Sequence, residues 1–211
     1  QFHVDRFDHP GYEIPNCVIC WGCNPTDSNP DFQLGQWLTD VIRRGAKLIS
    51  VDPRLTWTCA LADYHLQLRP GTDAALALGM LNVVINEDLY DHEFVDLWCY
   101  GFDALAERVQ EYPPSKVAEI TWVPEDQIVR AARLLATSKP CAMQWGLAVD
   151  MVKEALPAGQ AIVGLFQITG NVDVPGSNIF PVELIAYSGG WGGELLSEEL
   201  RLLYVAMTRA R

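Results

Sequence analysis

The chain has 211 residues, a formal net charge of −12 at pH 7 and 49% hydrophobic residues. Such a composition belongs to a folded chain with a sizeable core, of one domain or one and a half. The acidic balance argues against nucleic acid held on a basic surface. Apolar runs such as Ala74–Ile85 and Ala158–Ile168 are too short to span a bilayer. The chain begins at Gln1, with neither Met nor a signal-peptide pattern. It is read as a fragment or processed chain whose targeting information lies elsewhere.

Residues 1–16 are polar, rich in Pro and Gly, and without period; they are expected to form an irregular lead-in. Cys17–Gly22 is a continuous apolar run closed by turn chemistry, as in a strand buried on both faces. Leu34, Trp37, Leu38, Val41 and Ile42 then recur at helical spacing, with Arg43 and Arg44 in the last turn and Gly45 as a C-cap. Lys47–Val51 is the next strand, which completes a βαβ unit. A partly helical segment follows, then a short strand over His65–Leu68 and an apolar helix from Asp73 through Asn86. Two shorter helical stretches fill Asp88–Tyr112 and meet near Gly101. Pro113 and Pro114 read as punctuation. Pro124 opens an amphipathic helix that ends near Ser138. Pro140–Gly146 reads as a strand, 158–169 as a helix ended by Gly170, and 171–195 as an extended Gly- and Pro-rich segment. The expected class is α/β, a mainly parallel Rossmann-like sheet flanked by helices, with its domain over residues 17–170.

Three loops carry the functional signal: Trp21-Gly22-Cys23-Asn24-Pro25, Asp52-Pro53-Arg54 and Pro70-Gly71-Thr72-Asp73. Each follows a strand, where an open α/β sheet places its ligands. A Gly turn lets a phosphate approach the backbone, an Asp at a strand end can hold ribose hydroxyls, and an Asp in a Gly-Thr-Asp turn can read a purine edge. Together they point to a large nucleotide-bearing cofactor. Plainer roles exist for both acids, Asp52 as a turn starter and Asp73 as a helix N-cap. Gly-x-Gly-x-x-Gly is absent, which counts against an ordinary dehydrogenase. Cys17-x-x-Cys20-x-x-Cys23 superficially matches an iron–sulfur run. Asn24-Pro25-Thr26 stands where the fourth cysteine belongs, however, and these thiols are read as core residues. No metal ligand is assigned. His3, His9, His65 and His92 show no ligand spacing.

Taken in order, these loops resemble the molybdopterin oxidoreductases of the dimethyl sulfoxide reductase type. The resemblance covers roughly residues 8–195 and includes Gly45-Ala46-Lys47, Arg69–Leu76, Asp91, Phe94-Val95, Gly101-Phe102, 117–121, Thr169-Gly170-Asn171 and Pro175-Gly176. It implies the α/β domain that holds the guanosine end of one molybdopterin guanine dinucleotide carrying molybdenum or tungsten. Gly22, Asn24 and Pro25 would line the phosphate turn. Asp52 would hold the ribose with Arg54 beside it, and Gly71 and Asp73 would form the turn that pairs with guanine. Gly146 and Asn171 match positions near the pterin. Leu147 and Met151 depart from many relatives. In that family the metal-ligating residue lies upstream of the Trp-Gly-x-Asn-Pro turn, as does an iron–sulfur domain, so no catalytic residue is assigned here. The partners implied are the remainder of the parent enzyme and an electron-transfer subunit, in prokaryotic cytoplasm or periplasm. The alternative reading is a catalytically silent cofactor-binding module.

Residues 196–211 are similar to the last motif of superfamily-one DNA helicases, with Arg209 at the nucleotide-sensing arginine. No Walker-type phosphate loop accompanies them. This stretch is read as a foreign helical tail with Leu196, Leu200, Leu203, Tyr204 and Met207 on one face.

Overall fold

The computed structural model describes residues 3–4, 12–28 and 33–179. In chain order the elements are β1 (His3–Val4), β2 (Cys17–Trp21), α1 (Pro25–Ser28), α2 (Gln33–Arg43), β3 (Lys47–Val51), α3 (Trp57–Leu61), β4 (Tyr64–Leu66) and α4 (Asp73–Asn86). They continue with α5 (His92–Trp98), α6 (Phe102–Val109), α7 (Pro114–Thr121), α8 (Glu125–Thr137), β5 (Cys141–Trp145), α9 (Leu147–Asp150), α10 (Ala155–Ile168) and β6 (Asn178–Ile179). The main sheet is parallel throughout, in the order β4-β3-β2-β5. The α/β expectation holds.

Strand β2 is central, and all five of its residues are buried because helices cover both sheet faces. Val18 and Cys20 face α2, packing with Trp37, Leu38 and Val41. Cys17, Ile19 and Trp21 face the larger cluster built on α4, α8 and α10. Cys17 and Cys20 therefore point to opposite faces, as residues three apart on a strand must, and cannot share one metal cluster. No group of three metal-ligating side chains occurs among the described residues.

Helix α4 is apolar nearly all round because it is enclosed: the sheet, α7, α8 and α10 pack on it. Its Gly79 admits α7, since a Cβ there would stand 2.9 Å from a Val117 methyl. Helix α7 itself lies where the sequence reads Pro113-Pro114 as mere punctuation; Pro114 occupies the first helical turn, where its missing N–H costs nothing. The strand expected over His65–Leu68 is Tyr64–Leu66, ended by a three-residue turn in which Leu68 N–H donates to the Leu66 carbonyl at 3.0 Å.

One further expectation is corrected at the margins. Within the lead-in, His3–Val4 is a strand, antiparallel to Asn178–Ile179. The segment after residue 170, expected to be extended and rich in Gly and Pro, makes side-chain bonds to the sheet where it is described. It runs along β5 and satisfies the outer edge of that strand. Cys141 N–H donates to Asn171 Oδ1 at 2.8 Å, and Ser177 Oγ donates to the Cys141 carbonyl at 2.6 Å. Asn178 makes a bond in each direction with the Met143 backbone. Side chains here do the work of a fifth strand and close the sheet edge. The tail 196–211 and residues 180–195 lie outside the described residues.

Candidate nucleotide-cofactor site

The chain leaves β2 for β3 and β4 on one side, then returns to place β5 on the other, so the β2/β5 junction is the point where strand order reverses. An open parallel sheet binds its ligands there, beyond the carboxyl ends of the strands. The register makes this edge flush: Trp21 is level with Val51 and with Trp145. The next residues on those three strands are Gly22, Asp52 and Gly146, all three among the candidates. Backbone bonds continue the sheet past its end, from Gly22 N–H to the Val51 carbonyl at 2.8 Å and from Gly146 N–H to the Trp21 carbonyl at 2.9 Å.

Gly22 has φ +62°, in the left-handed region, and a Cβ on it would stand 2.8 Å from the Ala148 Cβ. The structure thus explains Gly22 by protein packing, without a ligand. Asn24 is fixed by hydroxyls: Thr58 Oγ1 donates to its Oδ1 at 2.7 Å and Thr26 Oγ1 at 3.1 Å. Pro25 is buried as the first residue of α1. These two threonines were not singled out from sequence; only the fold brings α3 against the turn.

Asp52 is 4% exposed, and its Oδ1 accepts from the Arg54 backbone N–H at 2.8 Å, with the guanidinium Nε at 3.5 Å. It acts as a turn residue, as its Asp-Pro context also allows. His65 bonds the Asp52 carbonyl through Nε2 at 2.8 Å. Gly71 has φ +82° with open space where a Cβ would lie, so only its backbone angle calls for glycine.

Asp73 begins α4 and is 7% exposed, and its side chain does not cap the helix: Trp21 Nε1–H donates to its Oδ1 at 2.8 Å. Because α4 starts after the β4 loop, its N-terminus and Asp73 lie at the same edge as Gly22 and Asp52. Burial pushes the Asp73 carboxyl above its ordinary range, against the pull of the Trp21 bond. A further polar group at this edge escaped the sequence reading. Gln144, level with Cys20 on β5, has its Nε2 buried without a hydrogen-bond partner among the described residues, while its backbone carbonyl accepts from the Cys23 thiol at 3.3 Å. Its apolar neighbours Trp145 and Met143 hide it in an otherwise ordinary strand.

Asn171 does not belong with this set. It is fully buried, with Oδ1 on the Cys141 N–H and Nδ2 on Thr169 Oγ1 at 2.9 Å. Cys141 opens β5, so Asn171 sits at the amino end of the sheet, with its side chain engaged in holding that edge.

A four-stranded parallel sheet flanked by helices, with buried acids and glycine turns at its carboxyl edge, defines an open α/β domain. Residues 10–208 match the Molybdopterin oxidoreductase family, and the chain belongs to it. It is 42% identical to acetylene hydratase of Syntrophotalea acetylenica over 194 residues, covering 86% of this chain and 26% of that protein. It is 36% identical to formate dehydrogenase H of Escherichia coli over 172 residues, covering 81% of this chain and 24% of the other. The solved acetylene hydratase of Pelobacter acetylenicus superposes with a TM-score of 0.70 at 46% identity, over 75% of this chain and 22% of its own. The chain thus spans about a quarter of the length of these relatives. No helix among the described residues is long and apolar enough to cross a membrane.

Proposed function

We propose that this chain is the part of a molybdenum- or tungsten-dependent enzyme that holds the guanosine end of a molybdopterin guanine dinucleotide. The observation that carries the reading is the pair of buried carboxylates, Asp52 and Asp73, at the carboxyl edge of a flush parallel sheet. The donor set fits the group. A ribose offers hydroxyl donors and guanine offers N–H donors, both suited to buried carboxylates. The buried Gln144 amide has no acceptor among the described residues, and a phosphate or carbonyl oxygen would supply one.

On this reading Asp52 accepts from the ribose, with the Arg54 guanidinium beside it near the phosphates, and Asp73 accepts from the guanine edge. Asn24 and Pro25 shape the turn that the pyrophosphate crosses, and Gly71 shapes the one that presents Asp73. Gly146 lies toward the pterin. When bound, the metal and its pterins supply the two-electron or oxygen-atom-transfer chemistry of the parent, and the protein positions them. Hydration is a second reaction class open to the parent, favoured by the likeness to acetylene hydratase. An iron–sulfur cluster and an electron-transfer subunit belong to the parent in the oxidoreductase case.

Titration calorimetry with guanosine diphosphate and adenosine diphosphate tests this. The chain is expected to bind the guanosine form in preference. Asp52→Ala and Asp73→Ala should each weaken it by roughly tenfold to a hundredfold, the effect of losing a charged acceptor. Equal affinity for the two nucleotides, or no loss in either variant, would count against the assignment.

A further inference from the structure

We propose that Trp21 is a positioning residue for base recognition: its indole N–H holds the Asp73 carboxylate at the sheet edge in the orientation that reads a guanine ring. The inference rests on the guanosine reading above and adds to it the group that fixes the reading carboxylate.

Trp21 is the last residue of the central strand and is fully buried, so its ring has a single place to sit. Its Nε1–H meets Asp73 Oδ1 at 2.8 Å across 52 positions of sequence. That bond ties the start of α4 to β2, independently of the loop between them. Thr72, the residue before it, makes no side-chain cap bond, and besides the indole the carboxylate meets the backbone N–H of Asp73 itself. Among the described residues the indole is therefore the group from outside Asp73 itself that holds the carboxylate.

The chemistry of the pair suits one base. An indole nitrogen only donates, so it favours a carboxylate over a carboxylic acid that would turn its proton toward it. Burial works in the opposite direction on Asp73, and the Trp21 bond resists it. Guanine presents two adjacent donors, N1–H and the 2-amino group, which an ionised carboxylate accepts together. Hypoxanthine lacks the second, and adenine has an acceptor at N1. A carboxylate that is both ionised and held in plane distinguishes these three. One free to rotate or to protonate does so less well.

The test compares the full chain with its Trp21→Phe and Asp73→Asn variants, using guanosine, inosine and adenosine diphosphates as probes across acid to neutral pH. The Asp73 carboxyl is followed by carbon NMR without ligand. In Trp21→Phe the Asp73 titration should move to higher pH, and the acid limb of guanosine diphosphate binding should move with it. The preference for guanosine over inosine diphosphate should fall, by up to about tenfold for one misaligned bond. In the wild type, the Trp21 indole N–H resonance should track the Asp73 titration and shift on adding guanosine diphosphate. A folded Trp21→Phe with unchanged titration and unchanged base preference would overturn the proposal while leaving the guanosine reading intact. Absence of any guanosine preference in the wild type defeats that reading itself, and this proposal with it. Should Trp21→Phe not fold, the wild-type indole resonance and Asp73→Asn decide. The amide oxygen of Asn still accepts from the indole, so loss of both the acid limb and the preference supports the role. An indole resonance indifferent to pH and nucleotide, or retained preference in Asp73→Asn, overturns it.

Discussion

Gly146 and Gly22 stand against each other at the ends of neighbouring strands, so closely that a Cβ on Gly146 would overlap the Gly22 carbonyl oxygen and lie 2.7 Å from the Cys23 Cβ. The space of a side chain is taken by backbone, which cannot step aside. Gly146→Ala is therefore expected to destabilise the fold by about 1–3 kcal/mol, the usual effect of overpacking. Gly159, inside α10, is the control. A Cβ there meets only the far end of the Trp145 ring at 3.8 Å. Gly159→Ala should stabilise by roughly 0.5–1 kcal/mol through helix propensity. Urea unfolding of the two variants measures the contrast, and similar midpoints would show that the two turns can part.

The carboxylates predict opposite responses to acid. Lys139 lies 2.9 Å from Asp91, and Arg133 makes a paired contact with Glu87 at 2.7 and 2.8 Å. The Lys139 bond to Asp91, and the Arg133 bond to Glu87, hold each acid below its ordinary range. Their stabilisation is present above the unfolded value of about 4 and is lost as pH falls through the lower folded value. Both pairs are partly exposed, so each contributes modestly. Asp73 has the other sign: its folded value is raised, so its favourable contribution is complete below the unfolded value and is lost as pH rises through the folded one. Asp73→Asn should accordingly stabilise the ligand-free chain at neutral pH, and Lys139→Met should lessen its loss of stability in acid. Denaturation midpoints measured against pH give both signs. A less stable Asp73→Asn at neutral pH would mean that the bonds from the indole and from the Asp73 backbone N–H outweigh the cost of burial.

What was legible in the sequence follows the range of the interactions. The unit β2-α2-β3 and the limits of α4 could be read because burial on both faces and helical period are local signals. Helix α7 was hidden because a proline pair reads as a break, although Pro114 at a helix start is permissive. The closure of β5 was not legible at all. Asn171, Ser177 and Asn178 reach it from 30, 36 and 35 residues away, and a side chain that replaces a strand leaves no period. Asn171 matched a family position in the sequence, yet the fold turns it to the far end of the sheet. Asp52 and Asp73 each have a plainer role in sequence, and they stood out because their turns follow strands and occur in order with the other loops. Trp21 looked like core and is core, and its N–H became visible only with Asp73 beside it.

The cysteines make a test of accessibility. Cys17, Cys20, Cys59 and Cys141 are buried, while Cys23 and Cys99 are half-buried. The Cys23 thiol and burial push Cys20 well up, and burial, then Cys17, does the same to Cys141. Thiolate is the reactive form, so these two should be inert in the native chain. Brief iodoacetamide treatment followed by peptide mass mapping is expected to label Cys23 and Cys99 first, with the rest labelled only in denaturant. Early labelling of Cys20 would place the strand edge in exchange with solvent.

The Gln144 carboxamide gives the sharpest link between stability and binding. A buried donor without an acceptor costs about 1–3 kcal/mol relative to one that is paired. Gln144 Nε2 is in that state in the ligand-free fold, beside the turn that follows β2. Methionine has a similar length, no donor and a flexible chain that adapts to a buried site. Gln144→Met should therefore raise the ligand-free denaturation midpoint, by an amount equivalent to about 1 kcal/mol after some loss of fit. If the amide serves a bound dinucleotide, the same variant should gain less stability from guanosine diphosphate than the wild type does, since ligand stabilisation scales with affinity. Thermal shift with and without the nucleotide reads both effects in one experiment. A midpoint raised equally with and without nucleotide would make Gln144 a defect of packing alone. A lowered midpoint without nucleotide would mean that the amide already has a partner in solution.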